Sequence, residues 1–253
     1  MLWHASSLNG FSIEASDGTI GKVADLLFDD SNFNIRWLVV ETGGWFSSKK
    51  VILPVSNLGK PNRELRVFPV NLTKQMVKDS PDLDFDAPVS RQIEARSLNY
   101  YGWEPYMGGA LFPMSNAVAA SMLPHEEMQL TPQEREIHHA KDRGDPHLRS
   151  AVNTTGYHLH AKDGEIGHIL DFLVDDQTWS IRYIAVDNNN WWPGKISLIL
   201  PRSIGGINWL DKMVFLTVDR QKVKDAPEYH ASMTVDGAYD EKFANYYYPP
   251  MMM

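Results

Sequence analysis

One 33-residue stretch occurs twice in this chain, and that repeat constrains the fold more than any motif does. The first copy reads GFSIEASDGTIGKVADLLFDDSNFNIRWLVVET, beginning at Gly10. The second reads GYHLHAKDGEIGHILDFLVDDQTWSIRYIAVDN, beginning at Gly156. The offset is 146 residues, so Gly21 corresponds to Gly167, and 13 of the 33 paired positions are identical without a gap. Half of the others exchange one apolar residue for another. Two copies of one apolar pattern specify two copies of one module, and 253 residues hold two modules of ordinary size.

Within a copy the pattern has period two. Phe11, Ile13 and Ala15 alternate with Ser12 and Glu14, the signature of a half-buried strand. Asp17-Gly18 supplies a turn. Residues 20–28 resume as strand, with Gly21 placed where a strand bends or bulges. Residues 29–32, Asp-Asp-Ser-Asn, form a second turn. Residues 35–41 are the most β-prone run, and residues 49–53 and 65–70 add two more strands. Residues 2–7 read as an opening strand, matched by residues 148–152. Strands this short, with turns every ~8–12 residues, predict a small closed or nearly closed antiparallel barrel.

Short helices follow each barrel. Thr73 and Asp219 stand at the N-caps of two of them. A further helix is expected over residues 90–101, with a counterpart beginning at Asp236. The expected organisation is a first domain over residues 1–103, a linker over 104–147 with a helix near 131–142, a second domain over 148–249, and a tail over 250–253.

The net charge of −8, from 24 basic and 32 acidic residues, argues against nucleic acid or a ribosome as partner. No cysteine is present, which excludes disulfides and thiolate chemistry. The start, MLWHASSLNG, lacks the basic and apolar regions of a secretory signal. The most apolar tract, residues 111–123, is too short to span a bilayer, which needs ~20 apolar residues. A cytoplasmic protein without a membrane span is expected, with peripheral membrane association left open. Nucleophile elbow, phosphate loop, H-E-x-x-H helix and dinucleotide fingerprint are all missing from the sequence.

With these motifs in place, residues 2–103 and 148–249 resemble the PRC-barrel family. The resemblance rests on DG-x-IG (Asp17, Gly18, Ile20, Gly21; Asp163, Gly164, Ile166, Gly167), on the Asp-Asp turn followed by Ile35-Arg36-Trp37 or Ile181-Arg182-Tyr183, and on the strand ends at Pro54 and Pro201. The segment PVSRQIEARSLNYYGW is similar to the tail of many bacterial members. The resemblance implies a mainly β fold with short helices: two tandem PRC-barrel-type small antiparallel β-barrels joined by a partly helical linker. The family includes the cytoplasmic part of the photosynthetic reaction centre H subunit and the C-terminal domain of a ribosome maturation factor. It therefore implies a non-catalytic interaction or assembly module without a cofactor, serving a protein partner and open to homodimerisation. One alternative is a soluble relative of the H subunit that influences proton or electron transfer in a membrane complex. Another is a small-ligand or metal binder.

Three groups of residues are candidates for function. The repeated acids Asp25, Asp29 and Asp30 match Asp171, Asp175 and Asp176, with Arg36 and Arg182 beside them. Carboxylates at a hairpin are what a turn requires, so a structural role is expected. His158 and His160 share one strand face and His168 follows, a spacing that suits zinc or nickel but lacks an obvious third ligand. His138-His139 lie in the linker helix and read as surface residues. Trp45-Phe46 and Trp191-Trp192 occupy equivalent loops, where two readings are even: they plug a barrel end or the seam between the modules, or they form the interaction surface, because aromatic residues dominate interface energetics.

Overall fold

The computed structural model describes residues 1–43, 49–80, 147–188, 195–230, 233, 235 and 237–247. The first copy forms β1 (Leu2–His4), α1 (Ala5–Leu8), β2 (Ser12–Ala15), β3 (Gly18–Asp29), β4 (Ile35–Thr42), β5 (Lys50–Pro54), β6 (Val67–Pro69) and α2 (Lys74–Lys78). The second forms β7 (Leu148–Ser150), α3 (Ala151–Thr154), β8 (His158–Ala161), β9 (Gly164–Asp175), β10 (Ser180–Asp187), β11 (Ile196–Ile199), β12 (Ile204–Asn208), β13 (Met213–Leu216) and α4 (Arg220–Lys224), and α5 (Gly237–Tyr247) follows. The expected linker helix, the 90–101 helix, the tail and the aromatic pairs Trp45-Phe46 and Trp191-Trp192 lie outside the described residues.

The fold is mainly β. The first sheet runs β5-β4-β3-β2-β6 and the second runs β11-β10-β9-β8-β13-β12. Among the described residues no ladder joins the outer strands of either sheet. Most pairings are antiparallel, but β2–β6 and β8–β13 are parallel, which the reading of hairpins alone did not anticipate. Each opening strand is also shorter than expected and turns into one helical turn, α1 or α3.

Alternation becomes burial as the sequence predicts. Phe11, Ile13 and Ala15 are buried, while Ser12 and Glu14 are half-exposed. The glycine of the DG-x-IG motif answers to a tighter demand than a bend. The bulge falls beside it, between Ile13 and Glu14 of β2. A Cβ added at Gly21 would lie 2.2 Å from the Glu41 carbonyl oxygen, and one at Gly167 2.0 Å from that of Asp187. Only glycine lets β4 lie so close on β3, and β10 so close on β9. The aromatic core continues from sheet to sheet, with the Phe28 and Phe172 rings 5.5 Å apart between centroids. Helix α5 lays Phe243 and Tyr247 against Tyr183, Ala185 and Leu198. No helix among the described residues is long and apolar enough to cross a membrane.

Candidate functional site: the seam between the two copies

β3 and β9 are each twelve residues long, and β2 or β8 pairs with only the first part of one edge. The remainder of that edge would be an open template for another strand. The opening strand of the other copy fills it. β1 pairs with β9, Leu2 opposite Asp175 and His4 opposite Leu173. β7 pairs with β3, Leu148 opposite Asp29 and Ser150 opposite Leu27. The copies thus exchange their first strands.

The repeated acids fasten this exchange. Asp171 accepts from the Ser6 amide (3.2 Å) and hydroxyl (2.5 Å), and His4 Nδ1 lies 3.0 Å from its Oδ2. Asp25 does the equivalent across the seam, accepting from the Ser150 hydroxyl and from the Val152 amide at 3.1 Å. The two carboxylates sit where the opening strands turn into α1 and α3, and they take up amides that a short helix leaves unpaired. Asp30 pairs with His147 Nδ1 (2.7 Å) and Arg149 Nε (2.8 Å). Its equivalent, Asp176, accepts from the Trp3 indole at 3.0 Å, and its amide donates to the Met1 carbonyl at 3.1 Å.

Asp29, Asp175 and Arg182 also make contacts within their own copies. Asp29 accepts from the Ser31 amide at 2.9 Å, with Arg36 Nη1 3.8 Å away. Asp175 accepts from the Gln177 amide at 2.9 Å. Arg182 reaches Asp240 of α5 at 3.3 Å.

The two β-turns meet at the centre. The Ile35 amide donates to the Trp179 carbonyl (2.7 Å), and the Ile181 amide donates to the Phe33 carbonyl (2.8 Å). Each pair becomes the other on adding 146 to one member and subtracting it from its partner, which is what a pseudo-twofold axis requires. Phe33 and Trp179 hold positive φ, 59° and 51°. That conformation is uncommon for bulky side chains and costs about 1 kcal/mol or more. Stacking offsets it. Phe33 lies on Phe28, and Trp179 lies on Phe68 of the other copy, with ring centroids 5.8 and 5.7 Å apart.

The copies diverge at His4, whose equivalent is Ser150. His4 Nε2 lies 2.6 Å from the Tyr229 hydroxyl, so an Asp171–His4–Tyr229 chain joins three elements on one side of the seam only. The electrostatics diverge with it. At Asp25 burial dominates and raises the pKa above its ordinary 3.8, against the hydrogen bonds from Ser150, Val152 and Leu26. At Asp171 burial also pushes upward, but the hydrogen bonds from His4, Ser6 and the Phe172 amide outweigh it, and the pKa falls below 3.8. Burial and the nearby Asp171 charge push the Tyr229 hydroxyl up.

Sequence reasoning missed Ser6, His4 and Tyr229, because hydrogen bonding between copies has no local signature. The N-cap of α4 falls at Asp219 as expected, but another side chain does the capping. Asp219 makes no capping bond through its side chain. The DG aspartate Asp163 reaches across 57 residues and accepts from the Arg220 amide at 2.7 Å, as Asp17 does from the Lys74 amide at 2.8 Å. Thr73 does cap its helix, accepting from the Met76 amide at 3.2 Å. His158, His160 and His168 lie on the outer face of the second sheet. Among the described residues no three His, Asp or Glu side chains converge as a metal site.

Residues 4–74, most of the first copy, match the PRC-barrel domain. A protein of Deinococcus radiodurans described as uncharacterized is 38% identical over 74 residues, covering 29% of this chain. The chain spans about a quarter (26%) of that relative's length.

Proposed function

We propose that a chain carrying this domain is a tandem PRC-barrel protein that acts as a non-catalytic assembly module for a protein partner. The proposal places it in a bacterial cytoplasm, in keeping with its bacterial relative. The reading of the second half as the same domain is supported by the repeat and by the matching order of strands. The observation that carries the functional reading is the reciprocal seam. The repeated acids Asp25, Asp30, Asp171 and Asp176 hold the opening strand of one copy on the long strand of the other. Their chemistry is used to lock two copies into one body. Such a body suits presentation of outer surfaces to a partner, and the sequence between β4 and β5 and between β10 and β11 holds Trp45-Phe46 and Trp191-Trp192. Large aromatic residues are the commonest anchors of such interfaces.

The test is an affinity purification of the full chain from its native host. One protein co-purifying at fixed stoichiometry, and lost from a Trp191→Ala/Trp192→Ala variant that retains its fold, is the expected result. Specific turnover of a substrate by the purified chain overturns the reading.

A further inference from the structure

The outer face of the second sheet carries a row of side chains that neither the seam nor the core uses. His158 on β8 stands opposite His168 on β9, and on its other edge it stands opposite Met213 on β13. Asp187 on β10 extends the row beyond His168. Residues paired across neighbouring strands project from the same face, with Cβ atoms about 4.5–5.5 Å apart in antiparallel pairs. Two imidazoles so placed can bind one ion between them. Both are open to solvent, with side-chain exposures of 58% for His158 and 42% for His168.

Each imidazole also has a carboxylate beside it. His158 Nδ1 lies 2.9 Å from Glu165 Oε1, and His168 Nε2 lies 3.8 Å from Asp187 Oδ2. At His158 the hydrogen-bonded carboxylate orients the ring and makes the other nitrogen a better ligand, an arrangement typical of histidine metal sites, whereas Asp187 at 3.8 Å is too far to bond the His168 ring directly. The equivalent face of the first copy has the same strand pairing and none of the ligands. Ser12 stands opposite Lys22 and opposite Val67. The histidines are therefore not a requirement of the fold.

We propose that His158 and His168 form a site for a late first-row divalent metal ion, with copper(II) bound most tightly. Imidazole nitrogens suit these ions, and copper(II) heads their affinity order. The chain supplies two nitrogen ligands, with the Met213 thioether in the same row and water filling the remaining positions. His160 takes no part, since its ring packs beside Phe215, with centroids 5.8 Å apart.

The test is calorimetric titration of the full chain, free of any affinity tag, with copper(II), nickel(II) and zinc(II) salts, with electron paramagnetic resonance of the copper form. The expected result is one ion per chain, copper tightest, with hyperfine coupling to two imidazole nitrogens. A His158→Ser/His168→Lys double variant, which installs the residues of the first copy, loses that binding by at least about tenfold, and Glu165→Gln weakens it about tenfold. Thermal melting of both variants verifies the fold. Wild-type affinity in the double variant, absence of binding in the wild type, or loss of the signal on His138→Ala/His139→Ala instead would each overturn the proposal.

Discussion

At the scale of single residues, Asp25 and Asp171 hold equivalent places and are set in opposite electrostatic directions. His4 explains the difference. It gives Asp171 a side-chain hydrogen bond in addition to that from Ser6, so ionisation of Asp171 is favoured, while burial prevails at Asp25. The signs follow from linkage. A depressed pKa means that Asp171 stabilises the fold above its unfolded pKa near 3.8, and that this contribution is lost as pH falls through the folded value. A raised pKa means the reverse for Asp25. Its contribution is fully present below 3.8 and is lost as pH rises through the folded value. Asp171→Asn should therefore cost roughly 1.5–3 kcal/mol at pH 7, the usual worth of hydrogen bonds to a charged group, and progressively less in acid. Asp25→Asn should cost no more than about 1 kcal/mol at pH 7, because the amide still accepts a hydrogen bond and removes a buried charge. Urea denaturation of both variants at pH 7 and at about pH 2, below the ordinary carboxylate range, checks this. Equal losses at both pH values would contradict it.

At the scale of elements, the strands are legible in the sequence, and their partners are only half legible. Alternation around Ile13, the turn at Asp17-Gly18 and the β-prone run at Trp37 to Val40 place β2, β3 and β4 within a residue or two. The exchange of β1 and β7 is not written there. Both opening strands face the same edge chemistry, since β3 and β9 are copies, so pairing within a copy or between copies satisfies the same backbone groups. The parallel ladders escape for a related reason. β6 and β13 return beside β2 and β8 from the far end of the copy, and no turn residue announces a long return. The aromatics Phe33 and Trp179 read as the end of a hairpin, and only the fold reveals that their carbonyls accept hydrogen bonds across the centre and that Trp179 stacks on Phe68 of the other copy. The glycine at the motif's end is legible in position but not in cause, and that cause is testable. Ala at Gly167 places a methyl group 2.0 Å from a carbonyl oxygen at φ +130°, so crowding of about 1–3 kcal/mol adds to backbone strain of similar size. Gly206 in β12 has nothing within 4 Å of an added Cβ. Gly206→Ala should change stability by less than about 0.5 kcal/mol. Paired thermal melts decide it, and a tolerated Gly167→Ala would show that β9 and β10 can separate at no cost.

At the scale of the whole molecule, residues Met1–Lys78 and His147–Met253 form one compact unit, so both copies share a single body. Each sheet is completed by a strand from the other copy, and the core crosses the seam through Phe28 and Phe172. Neither sheet can lose its own structure without exposing an edge and an aromatic face of its neighbour. The two copies should therefore unfold together although their sequences repeat as separate modules. Trp179→Ala tests this directly. Trp179 belongs to the second copy by sequence, yet its ring stacks on Phe68 of the first. Removing a buried aromatic side chain costs about 3–5 kcal/mol. In a shared unit that loss lowers the protection of β3 amides and β9 amides equally, as read by hydrogen exchange under mild denaturant, and the melt remains a single transition. In independent modules one set of amides would lose protection while the other kept it, and a second transition would appear. A single shifted transition with matched loss on β3 and β9 means that the exchanged strands, and not the 146-residue period, set the cooperative unit.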